Sequence, residues 1–543
     1  MTHMHQPFSP APMYKHLANV SLLGAVLCWH AGGLAQQPVP AAEGASTTFT
    51  ISGFELAGDI PLSSTETTRV LAPYIGAGGT LATLQDATAA LETALKSKGF
   101  SLHRVSLPPQ ELGAKVTLNI VRFVIGKVSV SGQSRFSEAN IRASVPELRE
   151  GETPNFDALA IQTSIANQNP GKQLQVSLSE STEADKINAK LAIQESRPWN
   201  LALGLSNTGS DATGGDRLSL VGGHSNVFDL DHQFSAAYTT SVERANDVKQ
   251  LGLNYRLPLY RLGGLLVLNY TQSDVVGNFG TFSSTGAGRT LSVNYDHYLA
   301  PVGGRRTHLS LGLNEKRFNA SQINGIPVFG QLDRGSRPLT LGYTVRVDSD
   351  SSVWGYNTEL AVNLPGNNGN DLVAYRSEDA RIDSVNWRAL RGSANYLSFL
   401  GSGWLWGIRG QFQYSPDALI AGEQFGLGGA NSVRGTGERV MSGDSGLLTS
   451  LEITSPELQP GLRLLGFLDA GWLRNNNAQL NPNKPASDQL VSAGLGLRYT
   501  SGAYSCSAEW GRVVTGSVLP SPNGSDTPRA GDQKFHLNFT ARF

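Results

Sequence analysis

Two cysteines in 543 residues leave no basis for a disulfide scaffold. Cys28 lies in a leader-like segment, so Cys506 has no partner in a mature chain. Beyond that segment there is no apolar run of about eighteen residues, and no membrane-spanning helix is expected. Charge of either sign is not in excess, with 43 Lys and Arg against 44 Asp and Glu, which removes the basic footprint of a nucleic-acid binder. The histidines are scattered without metal-ligand spacing. Gly428-Gly429 lacks the following Lys-Ser/Thr of a phosphate loop. Gly443-Asp444-Ser445-Gly446 imitates a protease nucleophile motif, but no His-bearing partner motif accompanies it. No enzyme activity, metal or other cofactor is expected. A chain that crosses a membrane without helices must do so as a closed barrel, because hydrocarbon leaves no sheet edge satisfied.

What the chain does have is alternation. It ends on Phe535, Leu537, Phe539, Ala541 and Phe543, with His536, Asn538, Thr540 and Arg542 between them. Successive strand residues point to opposite faces, so this segment has one apolar and one polar face. From Trp199 onward about sixteen such strands can be counted, an even number that suits a bacterial barrel. Their cores begin near Trp199, Arg217, Gln233, Gln250, Leu265, Thr290, Thr307, Pro338, Val353, Val385, Trp404, Leu447, Leu462, Leu490, Tyr504 and Phe535. Short connections such as Asp229–His232, Pro258–Gly264 and Gly401–Gly403 alternate with long polar ones such as Asp274–Arg289, Pro365–Ser384 and Ser415–Gly446. That parity is the asymmetry of an outer-membrane barrel with short periplasmic turns, and a soluble sandwich has no reason to keep it. Cys506, in step with Tyr504, Ala508 and Trp510, reads as a small lipid-facing residue. Trp199, Tyr260, Tyr298, Trp387, Tyr396, Trp404, Trp406, Tyr414 and Trp472 lie near strand ends and suit interface girdles.

The N-terminal part divides differently. Lys15 and His16 precede an apolar stretch from Leu17 to Trp29, and small residues end at Ala35, so 1–35 reads as a signal peptide and 36–46 as a linker. Pro38, Pro40 and Gly44 oppose a helix there. Two α+β units follow, at 47–123 and 124–196, each in the order β-α-α-β-β, with a period of about 75 residues. In the first, Leu84, Ala87, Leu91, Ala94 and Leu95 recur at helical spacing and Gly99 stops the helix. A strand is expected over Phe49–Leu56. The barrel then occupies 197–543.

The longest outer connection, about 415–446, has few charged residues and a central Arg434, and a loop of some thirty residues is uncommon unless it is functional. It contains Phe425-Gly426-Leu427-Gly428-Gly429-Ala430-Asn431-Ser432-Val433-Arg434-Gly435-Thr436, and Phe467-Leu468-Asp469-Ala470-Gly471-Trp472 follows later. Alternation turns Asp469 and Glu452 into the lumen, and Leu468, Ala470 and Trp472 toward lipid.

These two runs together resemble the paired signatures of the two-partner secretion transporters, the TpsB family of haemolysin secretion-activation type, within the superfamily of POTRA-bearing outer-membrane barrels. The resemblance spans Phe49 to Phe543. It implies two periplasmic POTRA domains (47–123 and 124–196) and a sixteen-stranded antiparallel barrel that exports one large β-helical exoprotein without nucleotide. It also implies that the loop 415–446 folds into the lumen, with Gly428, Gly429, Ser432, Val433, Arg434 and Gly435 forming the transport motif. Arg434 is then expected to pair with Asp469 on a wall motif of Phe467, Asp469, Gly471 and Glu452. Pro109-Gln110 resembles a pair near the end of the family's first POTRA domain. Capture of an unfolded partner falls to the POTRA units by strand addition, with Phe156 and Leu159 as candidate groove residues. Phe543 is the expected terminal assembly signal for the barrel assembly machinery. The remaining expectations are a monomer in outer-membrane lipid, no nucleic-acid partner, and no full plug helix. Thr436 departs from the aromatic that usually follows the Arg-Gly. The alternatives within reach are an outer-membrane insertase and, less readily, a diffusion porin.

Overall fold

The computed structural model describes residues 48–543 apart from 112–114, 211–212, 276, 280–281, 285, 324–325, 367 and 521–525. The expectations for the leader, Cys28, the linker and the plug helix lie outside the described residues. Two units are distinguished, one ending at Arg122 and one running from Phe123 to Phe543.

In the first unit, helices Ser64–Leu71 and Leu81–Ser97 pack on a three-stranded sheet. Lys115–Arg122 is its centre, parallel to Gly53–Gly58 and antiparallel to His103–Ser106. Leu84, Ala87, Leu91 and Leu95 form the buried stripe that meets Val116, Leu118 and Ile120, as their spacing requires. The long helix starts earlier than its apolar stripe because Thr80 caps it, accepting from the Thr83 amide at 3.3 Å. Gly99, at φ +84°, follows its end. The expected strand Phe49–Leu56 is two strands. Phe49–Ile51 leaves to pair with Gly76–Gly79, and Gly79 lets that pair close, since a Cβ there would lie 2.6 Å from Ile51 Cδ1.

The second α+β segment repeats the strand order. Lys186–Glu195 is central, with Val124–Ser131 parallel on one side and Lys172–Glu180 antiparallel on the other. Helices Glu138–Ala143 and Phe156–Ala166 cover it.

The rest is a closed antiparallel barrel in sequential order. Its strands are β1 Trp199–Ser206, β2 Arg217–Val227, β3 His232–Thr240, β4 Gln250–Leu259, β5 Gly264–Ser273, β6 Gly288–Tyr298, β7 Arg305–Phe318 and β8 Pro338–Asp348. They continue as β9 Ser352–Asn363, β10 Arg388–Gly401, β11 Trp404–Tyr414, β12 Ser445–Thr454, β13 Leu462–Arg474, β14 Ser487–Ser501, β15 Tyr504–Thr515 and β16 Gln533–Arg542. The segment Arg334–Ser336 prolongs β8 along β7. β16 closes on β1, from Asn538 opposite Ser206 to Arg542 opposite Ala202. Among the described residues no helix is long and apolar enough to cross a membrane.

Burial in the barrel is inverted relative to a soluble protein. Leu291 and Val293 on β6, Leu309, Leu311 and Leu313 on β7, and Leu495 and Leu497 on β14 are exposed. Ser292, Asn294, Asp296, Asn314 and Ser492, which alternate with them, are buried. This is a barrel whose solvent outside is lipid and whose interior is polar. Cys506 is exposed on that outer face.

Three of the expected girdle aromatics do something else. Trp387 is fully buried among Tyr375, Ile382 and Ile420, beneath the outer connections, and β10 begins only at Arg388 rather than near Val385. Tyr260 and Tyr298 pack against Ile161 and Ile165 of the second α+β segment. Position near a strand end cannot separate a lipid-facing ring from one covered by a neighbouring element, because both need an aromatic with a polar tip.

Candidate functional site: a loop strapped across the lumen

The connection 415–444 turns inward and returns. Its base is a two-stranded ladder, Phe425–Leu427 against Met441–Gly443. Leu427, Val433 and Met441 bury against Leu448, Leu473, Leu490 and Val513, on the inner faces of β12 to β15. Gly471 makes room for this: a Cβ there would lie 2.5 Å from Leu427 Cδ1.

The tip is pinned by Arg434, which is 1% exposed. Its Nε donates to Asp469 Oδ2 and its Nη2 to Asp469 Oδ1, both at 2.8 Å. This is the two-pronged geometry in which guanidinium and carboxylate hold one another in direction as well as charge. The Arg434 amide also donates to Asp469 Oδ2, at 3.1 Å. Nη1 reaches Glu509 Oε2 at 2.8 Å and Glu452 Oε2 at 3.2 Å. The guanidinium carbon lies 3.4 Å from the centre of the Phe467 ring, a cation–π contact. Ser450 donates to Asp469 Oδ1 at 2.6 Å. Arg498 completes the cluster, bonded to Glu452 and to Glu509 Oε1. Two guanidinium groups thus share three carboxylates contributed by β12, β13 and β15.

The motif glycines shape the tip. Gly428, Gly429 and Gly435 have φ of +106°, +104° and +90°, values that L side chains rarely adopt. At Gly435 a Cβ would also lie 2.8 Å from the Gly511 carbonyl carbon on β15. Ser432 Oγ accepts from the Gly428 amide at 3.2 Å, and the Gly435 amide donates to His536 Nε2 at 3.0 Å. Thr436, in place of an aromatic, accepts from the Gly429 amide and donates to Val433 O. It ties the turn internally instead of stacking.

Asp469, Glu452, Phe467 and Arg434 therefore meet, and Gly471 and Val433 pack beside them. Glu509, Arg498, Ser450 and His536 belong to the same site but were not singled out in the sequence. Alternation already turns Glu509 and Arg498 inward, yet it turns many polar residues inward and does not say which converge.

The other candidates lie apart. Gln110 bonds both backbone groups of Thr117, accepting from its amide and donating to its carbonyl, each at 2.8 Å. It completes the central strand where His103–Ser106 ends. Leu159 belongs to the core of the second α+β segment, so a groove-lining role is given up for it; Phe156 is half-buried against the same core. The protease-like Asp444 is buried and accepts from Arg381 Nη1 at 2.8 Å and from the amides of Leu419 and Asn476. Phe543 is exposed and donates its amide to Leu201 O at 2.9 Å. Among the described residues no group of three or more side chains could hold a metal ion.

A second polar cluster joins the α+β segment to the short-turn end of the barrel. Lys172 and Asp231, both buried, are 2.5 Å apart. Ser144 and Tyr260 also donate to Asp231, at 2.9 and 2.7 Å, and Asn140 donates to Asp229 O at 2.8 Å. The turn these bonds hold has Phe228, Asp229 and Asp231 at positive φ. Burial lowers the affinity of Lys172 for its proton despite the neighbouring carboxylate, and burial beside Asp231 raises that of the Tyr260 hydroxyl.

A barrel with lipid outside, an α+β domain ahead of it and a loop folded through its lumen defines an outer-membrane transporter. The comparisons agree. The family model of the haemolysin secretion/activation proteins ShlB/FhaC/HecB matches residues 185–499, and that of the ShlB-type POTRA domain matches 49–122. The outer membrane transporter CdiB of Escherichia coli is 24% identical over 471 residues, covering 84% of this chain and 77% of the relative. That of Dickeya dadantii is 25% identical over 403 residues, covering 70% of this chain and 68% of the relative. In fold, the solved structure of CdiB from Escherichia coli superposes with a TM-score of 0.72 at 21% identity, covering 93% of each chain. CdiB from Acinetobacter baumannii gives 0.70 at 17%, covering 94% of each. The chain belongs to the ShlB/FhaC/HecB family of haemolysin secretion/activation proteins. It is an outer-membrane protein with its POTRA portion in the periplasm.

Proposed function

We propose that the chain takes one large secreted exoprotein from the periplasm and passes it, unfolded, through the barrel to the cell surface. The observation that carries this reading is the loop held across the lumen by Arg434. A diffusion pore needs no loop folded into its lumen and tied to the inner wall through a buried guanidinium. Both α+β segments, 47–123 and 124–196, act as POTRA domains, offering sheet edges to which an extended partner adds as a strand. The partner folds outside as a β-helix, which makes return unfavourable and removes any need for nucleotide. Arg434 and Asp469 hold the closed state, and Glu452 belongs to the same latch. Phe543 directs insertion by the barrel assembly machinery, and the working unit is one chain in lipid.

The test is comparative proteomics of culture medium and outer membrane with and without the chain. Loss of one large exoprotein with an unchanged outer membrane is expected. Broad depletion of other barrels would replace this reading with that of an insertase.

A further inference from the structure

The loop is held at a second place, on strands other than those that Arg434 meets. Glu423, 2% exposed, sits on the descending limb of the loop and faces the inner walls of β7 to β11. Its carboxylate accepts from Lys316 Nζ of β7 at 2.9 and 3.1 Å, and from Ser336 Oγ of the β8 extension at 2.6 Å. Arg391 Nη2 of β10 donates to it at 3.0 Å. Its backbone carbonyl accepts from Gln413 Nε2 of β11 at 3.0 Å. The approach is close: a Cβ on the preceding Gly422 would lie 2.3 Å from the Phe318 ring. One carboxylate is thus shared by β7, the β8 extension and β10, and the backbone carbonyl of the same residue is held by β11, all strands that Arg434 does not touch.

The two limbs of the loop are also braced to each other. Arg439 Nη2 donates to Ala421 O at 2.7 Å and to Gln424 O at 2.8 Å, and Ser442 donates to Gln424 Oε1 at 2.9 Å. A braced strap pinned at both ends leaves the lumen only when both ends let go, so weakening either end lowers the total cost of opening.

We propose that Glu423 is a second latch, a positioning residue that holds the loop to the β7–β11 wall and must release, together with the Arg434 cluster, before the lumen opens. The proposal rests on the transport reading above. It deepens that reading by making the gate a two-point device with opposite charge polarity at its ends: a cation on the loop at the tip, and an anion on the loop near the rim.

The test uses the purified full chain in planar lipid bilayers, where opening is read without any partner. Glu423→Gln keeps the shape and removes the charge. The fraction of time spent open is expected to rise about tenfold or more, the effect of losing charge-assisted bonds at a buried site. Arg434→Ala with Glu423→Gln should open far more than either alone. Lys316→Gln should raise opening less when added to Glu423→Gln than when made in the wild-type chain, a coupling between the two bonded charges that a merely structural role does not predict. Heat-modifiable gel mobility confirms in each case that the barrel is folded. Unchanged opening in Glu423→Gln, or fully additive effects of Glu423→Gln and Lys316→Gln, overturns the latch. Secretion by the wild-type chain is scored separately: its absence overturns the transport reading and leaves the bilayer result standing.

Discussion

Replacing Arg434 by Ala isolates what holds the loop tip. Arg434→Ala removes one of the two guanidinium groups ion-paired with Asp469, Glu452 and Glu509. Arg498 remains to hold the two glutamates, but Asp469, 0% exposed, keeps only the Ser450 hydroxyl and the residue 434 amide. Breaking a buried pair from one side costs about 3–5 kcal/mol. The lower end applies here, because two of the three carboxylates stay paired. About 3 kcal/mol corresponds to a roughly hundredfold rise in the detached population. The assay is thiol labelling of Val433→Cys, a fully buried site beside Arg434, in a background lacking Cys506 and Cys28. A membrane-impermeant maleimide should react slowly with the parent and about a hundredfold faster once Arg434→Ala is added. A change below about threefold would show that the Leu427, Val433 and Met441 cluster holds the tip without the ion pairs, and the reasoning would fail.

Other expectations follow from single contacts. Arg434→Lys retains the charge but not the two-pronged geometry, so secretion should fall by at least about tenfold with normal membrane insertion. Gly435→Ala strains a positive φ and meets the β15 backbone; thiol labelling at Val433→Cys should show a loosened tip while gel mobility stays that of a folded barrel. Asp231→Ala leaves Lys172 buried without its carboxylate and should destabilise the junction by about 3–5 kcal/mol, seen as rapid protease cutting between the second α+β segment and β1. Gln110→Ala strands two backbone groups of Thr117 and should cost about 1–3 kcal/mol in urea unfolding of the first unit within the full chain, with the barrel transition unmoved.

Much of the architecture was legible along the chain because strands in a barrel carry a two-residue period with no exception for a core. Leu537 and Phe539 had to face one way and His536 and Asn538 the other, and the parity of loop lengths then told lipid from core. Helix spacing placed Leu84, Leu91 and Leu95 on one stripe in the same way. Misreadings arose where a contact from a distant element decided the outcome. Trp387 resembles a girdle residue until the outer connections cover it. Leu159 resembles a groove residue until the second core closes over it.

The local sequence by itself determined which residues point into the lumen and which glycines free the backbone at the loop tip, because both depend on neighbours a few positions away. Only the tertiary structure decided that Arg434 meets Glu509 as well as Asp469, that Glu423 is held by Lys316 and Arg391, and that Lys172 is buried against Asp231. Those partners are separated by tens of residues in sequence. Closure of the barrel and inward folding of one loop bring them within hydrogen-bonding distance, and buried charge selects the arrangement in which each finds its opposite.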